Sequence, residues 1–138
     1  ILDGQTAWVT WGGTSRSTPV TVGAVALIEQ AYKKAHGTWP TEDQVKTFLK
    51  SGAQDLGYEP WIQGAGSVDA GKSVAAAAGS ASTISPTEWR PGTSTAGGDQ
   101  HFPDTIAPGG TASQTFSLGG PSNGWSVSAR VQRQYASD

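Results

Sequence analysis

The stretch Gly13–Gly23, GTSRSTPVTVG, decides the reading of this chain. It places one hydroxyl, that of Ser15, at the approach to a long apolar segment. From Pro19 onward the sequence runs Val20, Val22, Ala24, Val25, Ala26, Leu27, Ile28, Ala31, Tyr32 and Ala35, too long and too evenly apolar for a strand. Polar residues thicken only after Glu29. The pattern predicts a helix buried over its first half, with Pro19 in its first turn, where the amide that proline lacks has no partner. Gly13, Ser15, Ser17 and Thr18 form a small, polar approach to it. Unpaired amides and the positive end of the macrodipole gather at such a point, so an oxyanion forming beside Ser15 would meet hydrogen-bond donors. Gly12 and Gly13 let a backbone or a substrate come close. The commonest use of a serine or threonine ahead of a helix is nonetheless a cap, which satisfies amides and does no chemistry.

The whole stretch says more than the serine alone. Gly13, Thr14 and Ser15, followed by Ser17, Pro19, Val22 and Gly23, resemble the active-site serine signature of the subtilisin-like serine peptidases at every position that the signature specifies. The resemblance continues through the helix, the AHGTWPTEDQV corner and the GAGSVDAGKSV segment, over about residues 4 to 78. It implies the C-terminal part of a subtilase catalytic domain, with Ser15 as nucleophile, its own amide as one oxyanion donor, Thr14 as a supporting hydroxyl and Gly13 beside the substrate. Arg16 departs from the apolar residue often found at its place, which bears on substrate preference rather than on the chemistry.

A serine hydroxyl needs a base within ~3 Å, itself oriented by an acid. In the resembled family the Asp, the His and the oxyanion-hole Asn all precede the serine, and no counterpart of them stands here. Fourteen residues precede Ser15, and their one acid, Asp3, is not in the family's Asp motif. Of the two histidines, His36 falls at the far end of the predicted helix, roughly 30 Å away at ~1.5 Å rise per residue. His101 lies in a Gly/Pro-rich stretch and reads as a loop histidine. The chain is therefore expected to depend on an upstream segment that supplies Asp, His and Asn, and with them the parallel sheet that a helix this apolar requires. Alone it is expected to be inactive.

Composition sets looser limits. Net charge is -2, with Lys33, Lys34, Lys46, Lys50 and Lys72 dispersed among acids, so no basic patch argues for a nucleic-acid partner. There is no cysteine, which excludes disulfides, and no apolar run long enough to span a membrane. The resemblance implies an extracellular protein acting on protein or peptide substrates. Family members often bind calcium, but no acidic cluster in this sequence has ligand spacing that assigns a metal site.

Further along, Gly37 ends the first helix and Pro40 breaks the chain. Thr41 and Gln44 then stand in capping-box spacing. They predict a second helix with Val45, Phe48, Leu49 and Ala53 on one face, Lys46 and Lys50 on the other, and Gly57 closing it. Residues Gly66 to Ser73, GSVDAGKS, match the phosphate-binding P-loop pattern, in which Lys72 and Ser73 would meet phosphate and magnesium. Context argues against that alternative, because GYEPWIQGAG precedes it instead of a hydrophobic strand. In the peptidase reading Asp69 caps a short helix, Ala70 to Ala78, that ends at Gly79.

Beyond residue 79 the composition shifts. Residues 80–111 are rich in Pro, Gly, Ser and Thr and predict a linker or excursion with a short strand near Thr83 and Ile84. Over 112–138 the period changes to two. Phe116 and Leu118, then Trp125, Val127, Ala129 and Val131, alternate with polar residues and predict a hairpin across the GGPSNG turn, the start of a β-rich domain. Trp89 is expected in a β core. The expected fold is thus α/β: the C-terminal portion of a subtilisin-like parallel-sheet domain over residues 1–79, the linker, and a β-hairpin or sandwich segment. The expected function is that of a subtilisin-like serine endopeptidase. A non-catalytic interaction or scaffold protein on a subtilase framework is the alternative.

Overall fold

The computed structural model describes residues 12–89, 108–121 and 126–129, with Trp61 described by its backbone alone. Four helices and two short strands follow in chain order: α1 (Thr14–His36), α2 (Glu42–Gly52), α3 (Pro60–Gln63), α4 (Ala70–Ala77), β1 (Thr83–Ser85) and β2 (Ser117–Gly119). Among the described residues there is no parallel sheet; the strands form one antiparallel pair, with Ile84 opposite Leu118.

α1 begins five residues earlier than the position of Pro19 suggests, so the proline lies inside the helix and not in its first turn. Within the added turn and just after it, hydroxyls bond to the helix's own carbonyls four residues back. Thr18 Oγ1 donates to Thr14 O at 2.8 Å, and Thr21 Oγ1 to Ser17 O at 3.1 Å. At the other end Gly37 caps α1 in the left-handed conformation, φ 76°, and its amide donates to Lys33 O at 2.9 Å.

Thr41 starts α2 with a complete capping box. Its hydroxyl accepts the Gln44 amide at 3.3 Å while Gln44 Oε1 accepts the Thr41 amide at 2.8 Å. Gln44 also donates from Nε2 to the Tyr32 hydroxyl at 3.0 Å, which ties the start of α2 to α1. The Tyr32 ring lies 5.7 Å from Phe48 and 4.3 Å from His36, centroid to centroid. α2 ends at Gly52, short of the predicted Gly57, because Ala53 turns extended and Gln54 pairs with Ser67 in an isolated bridge, N to O at 2.8 and 2.9 Å.

α4 runs across both longer helices. Asp69 accepts the Lys72 amide at 2.9 Å and starts it; it ends one residue before the predicted Ala78, which serves as its C-cap. The fully enclosed apolar residues are Ala24 and Ile28 of α1 and Ala76 and Ala77 of α4. Three of the four are alanines, so the helices approach closely around one isoleucine. The apolar stretch that follows Pro19, expected to be buried, is enclosed only at Ala24 and Ile28: Val20 is 64%, Val22 60% and Leu27 50% accessible.

β1 is fastened to α2 by side chains. Ser51 Oγ accepts the Ile84 amide at 3.2 Å, and Lys50 pairs with Glu88. β2 pairs with β1, so residues 117–119 join the helical body across the expected boundary at 111. Of the predicted second hairpin strand, residues 126–129 are exposed and not in a strand. Its remaining positions Trp125 and Val131, like most of the linker, lie outside the described residues. Trp89, expected in a core, is exposed at the end of the segment after β1.

The α2–α4 crossing depends on Gly52. A Cβ there would stand 2.5 Å from Ser73 Oγ and 2.7 Å from the Ser73 backbone nitrogen. Helix propensity favours alanine by at most ~1 kcal/mol, less at a helix end. Forcing backbone apart costs about 1–3 kcal/mol. Gly52→Ala is therefore expected to destabilise the protein by roughly 1–2 kcal/mol, read as a lower urea midpoint at unchanged m-value.

Candidate functional site

Ser15 is the second residue of α1, after Thr14, and the residue at the helix boundary is Gly13, φ 117°, with no side-chain cap. The capping role considered for Ser15 is thus not the one it has. The Gly13 carbonyl takes the amides of Arg16 at 3.0 Å and Ser17 at 3.3 Å. The Thr14 and Ser15 amides have no acceptor among the described residues, and they stand at the positive end of a 23-residue helix. Ser17 Oγ leans on Gly13 O at 3.4 Å, whereas the Ser15 hydroxyl makes no hydrogen bond to any described residue and is exposed.

Pro19 stands four residues after Ser15. Its ring removes the one backbone donor that would have bonded the Ser15 carbonyl and crowds that carbonyl as well. The turn that carries Ser15 therefore lacks a helical hydrogen bond where the helix would otherwise be most regular.

Helical spacing settles what shares a side with Ser15. Pro19, Val22 and Ala26 follow it at four, seven and eleven residues, and all four are exposed. Ala24 and Ile28 occupy the opposite side and are buried. α1 is thus apolar on two sides and packed on one. Gly23 and Ala26 on the open side are small enough for close approach by a flat surface. This stripe was legible as spacing in the sequence; what spacing could not show is which of the two apolar sides this chain itself covers.

The helix also fixes how far His36 is from Ser15. The two lie 21 residues apart on one continuous helix, about 32 Å at ~1.5 Å per residue. His36 has a structural position: its Nε2 is 3.1 Å from the Ala77 carbonyl, and its ring lies against Tyr32. The described residues bring no acid–base pair to Ser15. His101 and Asp3 lie outside them.

The P-loop letters serve packing. Gly66 is held at φ 119° against Gln54, whose carbonyl oxygen would lie 2.2 Å from a Cβ at that position. Ser73, which would have to reach magnesium, is buried at the Gly52 crossing, and Lys72 lies 3.6 Å from the Asp69 carboxylate. No glycine-rich loop follows a strand here, and the Lys72 amide, which would face phosphate, is taken by Asp69.

Among the described residues no group of three or more His, Asp or Glu stands together as a metal site, and no helix is long and apolar enough to cross a membrane. Scans of protein-family models and searches of curated proteins and of solved structures found no match to the chain.

Two outcomes follow from the α4 cap. The Lys72 amide, ahead of the Lys72 charge, holds the Asp69 carboxyl below its ordinary pKa. A carboxylate lowered by folding stabilises fully above its unfolded pKa, near ~4, and its contribution is lost as pH falls through the folded value. A Tm–pH profile is expected to fall on that acid limb and to flatten there in Asp69→Asn. Titration with ATP and magnesium is expected to show no affinity that Lys72→Ala removes.

Proposed function

We propose that this chain carries the nucleophile of a subtilisin-like serine endopeptidase, with Ser15 as the attacking hydroxyl. One observation carries the reading most of the way. Ser15 and the uncovered apolar stripe of α1, Pro19, Val22 and Ala26, lie on the same side of the same helix. A helix with a second apolar side left uncovered calls for a further packing partner. Whatever polypeptide encloses that stripe also arrives beside the Ser15 hydroxyl, which is where a base has to come from. The serine signature read from Gly13 to Gly23 supports the same assignment, and so does the Ser15 amide, which has no acceptor among the described residues and in this reading is one oxyanion donor, with Thr14 as a supporting hydroxyl.

In this reading an upstream segment of the protein supplies the catalytic Asp and His, the oxyanion-hole Asn and a parallel sheet that packs on α1. The enzyme is extracellular and acts on proteins or peptides. The Ser15 oxygen attacks the scissile carbonyl carbon as its proton passes to the histidine. The amine leaves with that proton, and water then releases the acyl group and restores the hydroxyl. Calcium, implied by the family resemblance, has no ligands assigned in this chain.

The exposed stripe also suits the second reading, an interaction protein that kept the framework without catalysis. A fluorophosphonate probe separates the two. In the full-length protein the probe is expected to attach at Ser15, located by peptide mass mapping, and Ser15→Ala is expected to lose both the label and peptide hydrolysis by several orders of magnitude. Residues 1–138 alone are expected to remain unlabelled. A folded full-length protein that takes no label at Ser15 would favour the interaction protein.

A further inference from the structure

We propose that the loop from Asp55 to Gly66 is a preformed docking element for another polypeptide, one that offers apolar pockets with a lysine or arginine at their rim. The inference stands apart from the reading of Ser15. The loop leaves and returns at one point, where Gln54 and Ser67 exchange backbone hydrogen bonds at 2.8 and 2.9 Å. The residues between are thus closed into an excursion of the Ω type. Polar side chains hold it from within. The Asp55 carboxylate accepts the Gly57 amide at 2.8 Å and Gln63 Nε2 at 2.9 Å, while Gln63 Oε1 accepts the Leu56 amide at 2.8 Å. These bonds also seat the Leu56 backbone against Gln63, the neighbour of Ile62 in α3.

The side chains that the loop turns to solvent are apolar. Leu56, Tyr58 and Ile62 are each at least half exposed. Single exposed apolar residues need no explanation, but three on one closed loop whose polar side chains bond to each other reverse the usual polarity of a surface loop. A loop ordered by its own bonds loses little freedom when it binds, which favours affinity. Charge then selects the occupant. The charged residues from Gln54 to Val68, Asp55 and Glu59, are both acids. Asp55 is engaged inside the loop, whereas the half-buried Glu59 carboxylate makes no hydrogen bond or ion pair with described residues. A base on the partner answers that charge. Anionic lipid headgroups are repelled by both acids, and a two-fold contact of the loop with its own copy brings Glu59 toward a second Glu59.

The test uses the full-length protein and, as probes, random peptides displayed on phage. Binders are synthesised and their affinities read by fluorescence anisotropy. A group of them is expected to combine bulky apolar residues with Lys or Arg and to lose about tenfold in affinity for Tyr58→Ser and for Ile62→Ser. Exchanging the base of such a peptide for Glu is expected to weaken binding about three- to tenfold, and Glu59→Lys to reverse that order. The urea midpoint of the Tyr58 and Ile62 variants is expected to stay unchanged, since both side chains lie at the surface, which separates a lost contact from a lost fold. Absence of binders, or binders indifferent to all three variants, overturns the proposal. Binding to phosphatidylcholine–phosphatidylserine vesicles that Ile62→Ser removes overturns it in favour of a lipid surface. A dimer in sedimentation that Ile62→Ser dissolves does so in favour of a second copy. Hydroxyl-radical footprinting that leaves Tyr58 and Ile62 unmodified in the full-length protein also overturns it, because the loop is then covered from within.

Discussion

Everything described here hangs on the close seating of α1 against α4. Among the described residues Ile28 is the one large side chain fully buried in the apolar centre, and the residues enclosed with it, Ala24, Ala76 and Ala77, are small enough to let the helices approach. Burying one isoleucine contributes about 1.5–3 kcal/mol, to which the half-buried Val25, Tyr32, Val45, Phe48, Leu49 and Val74 add. The surrounding polar contacts are frequent. Gln44 reaches both Thr41 and Tyr32, His36 meets the last turn of α4, and Ser51 holds β1. They fix which helix lies where, while the apolar centre supplies the attraction.

Local signals survived translation into structure, and nonlocal ones did not. Thr41 with Gln44, Gly37 and Asp69 act within four residues of themselves, and each does in the structure what its spacing announces. α1 starts five residues ahead of Pro19, although Pro19 suits a first helical turn. Nothing in a propensity scale reveals that the hydroxyls ahead of it will pair with carbonyls four residues back. α2 stops at Gly52, short of Gly57, where a bridge from Gln54 to Ser67, thirteen residues on, holds the chain extended. The pairing of β2 with β1 spans more than thirty residues and overrides the nearer partner that alternation suggested.

The candidate site divides in the same way. That Ser15 stands at a helix entrance could be read from Gly13, from the apolar run and from the signature that contains them. That its hydroxyl is neither a cap nor engaged with a described neighbour required the coordinates. The expected burial of the first half of α1 came from counting apolar residues, which measures what a helix needs and not what a given stretch of chain provides. Lys72 and Ser73 show the converse. Their letters fit a phosphate loop, but the chemistry of a serine is set by what surrounds it, and Ser73 is enclosed against Gly52.

The uneven packing along α1 has a bearing on how the helix breathes. Its later turns are held to the other helices through Ile28, Tyr32 and His36, whereas the residues from Thr14 to Val22 are exposed apart from Thr21, which is half-buried. Amide hydrogens in the early turns should accordingly exchange with solvent through small local openings, and those around Ile28 only when the helices part. The end of the rod that bears Ser15 is thus expected to open more readily than the part seated on α4.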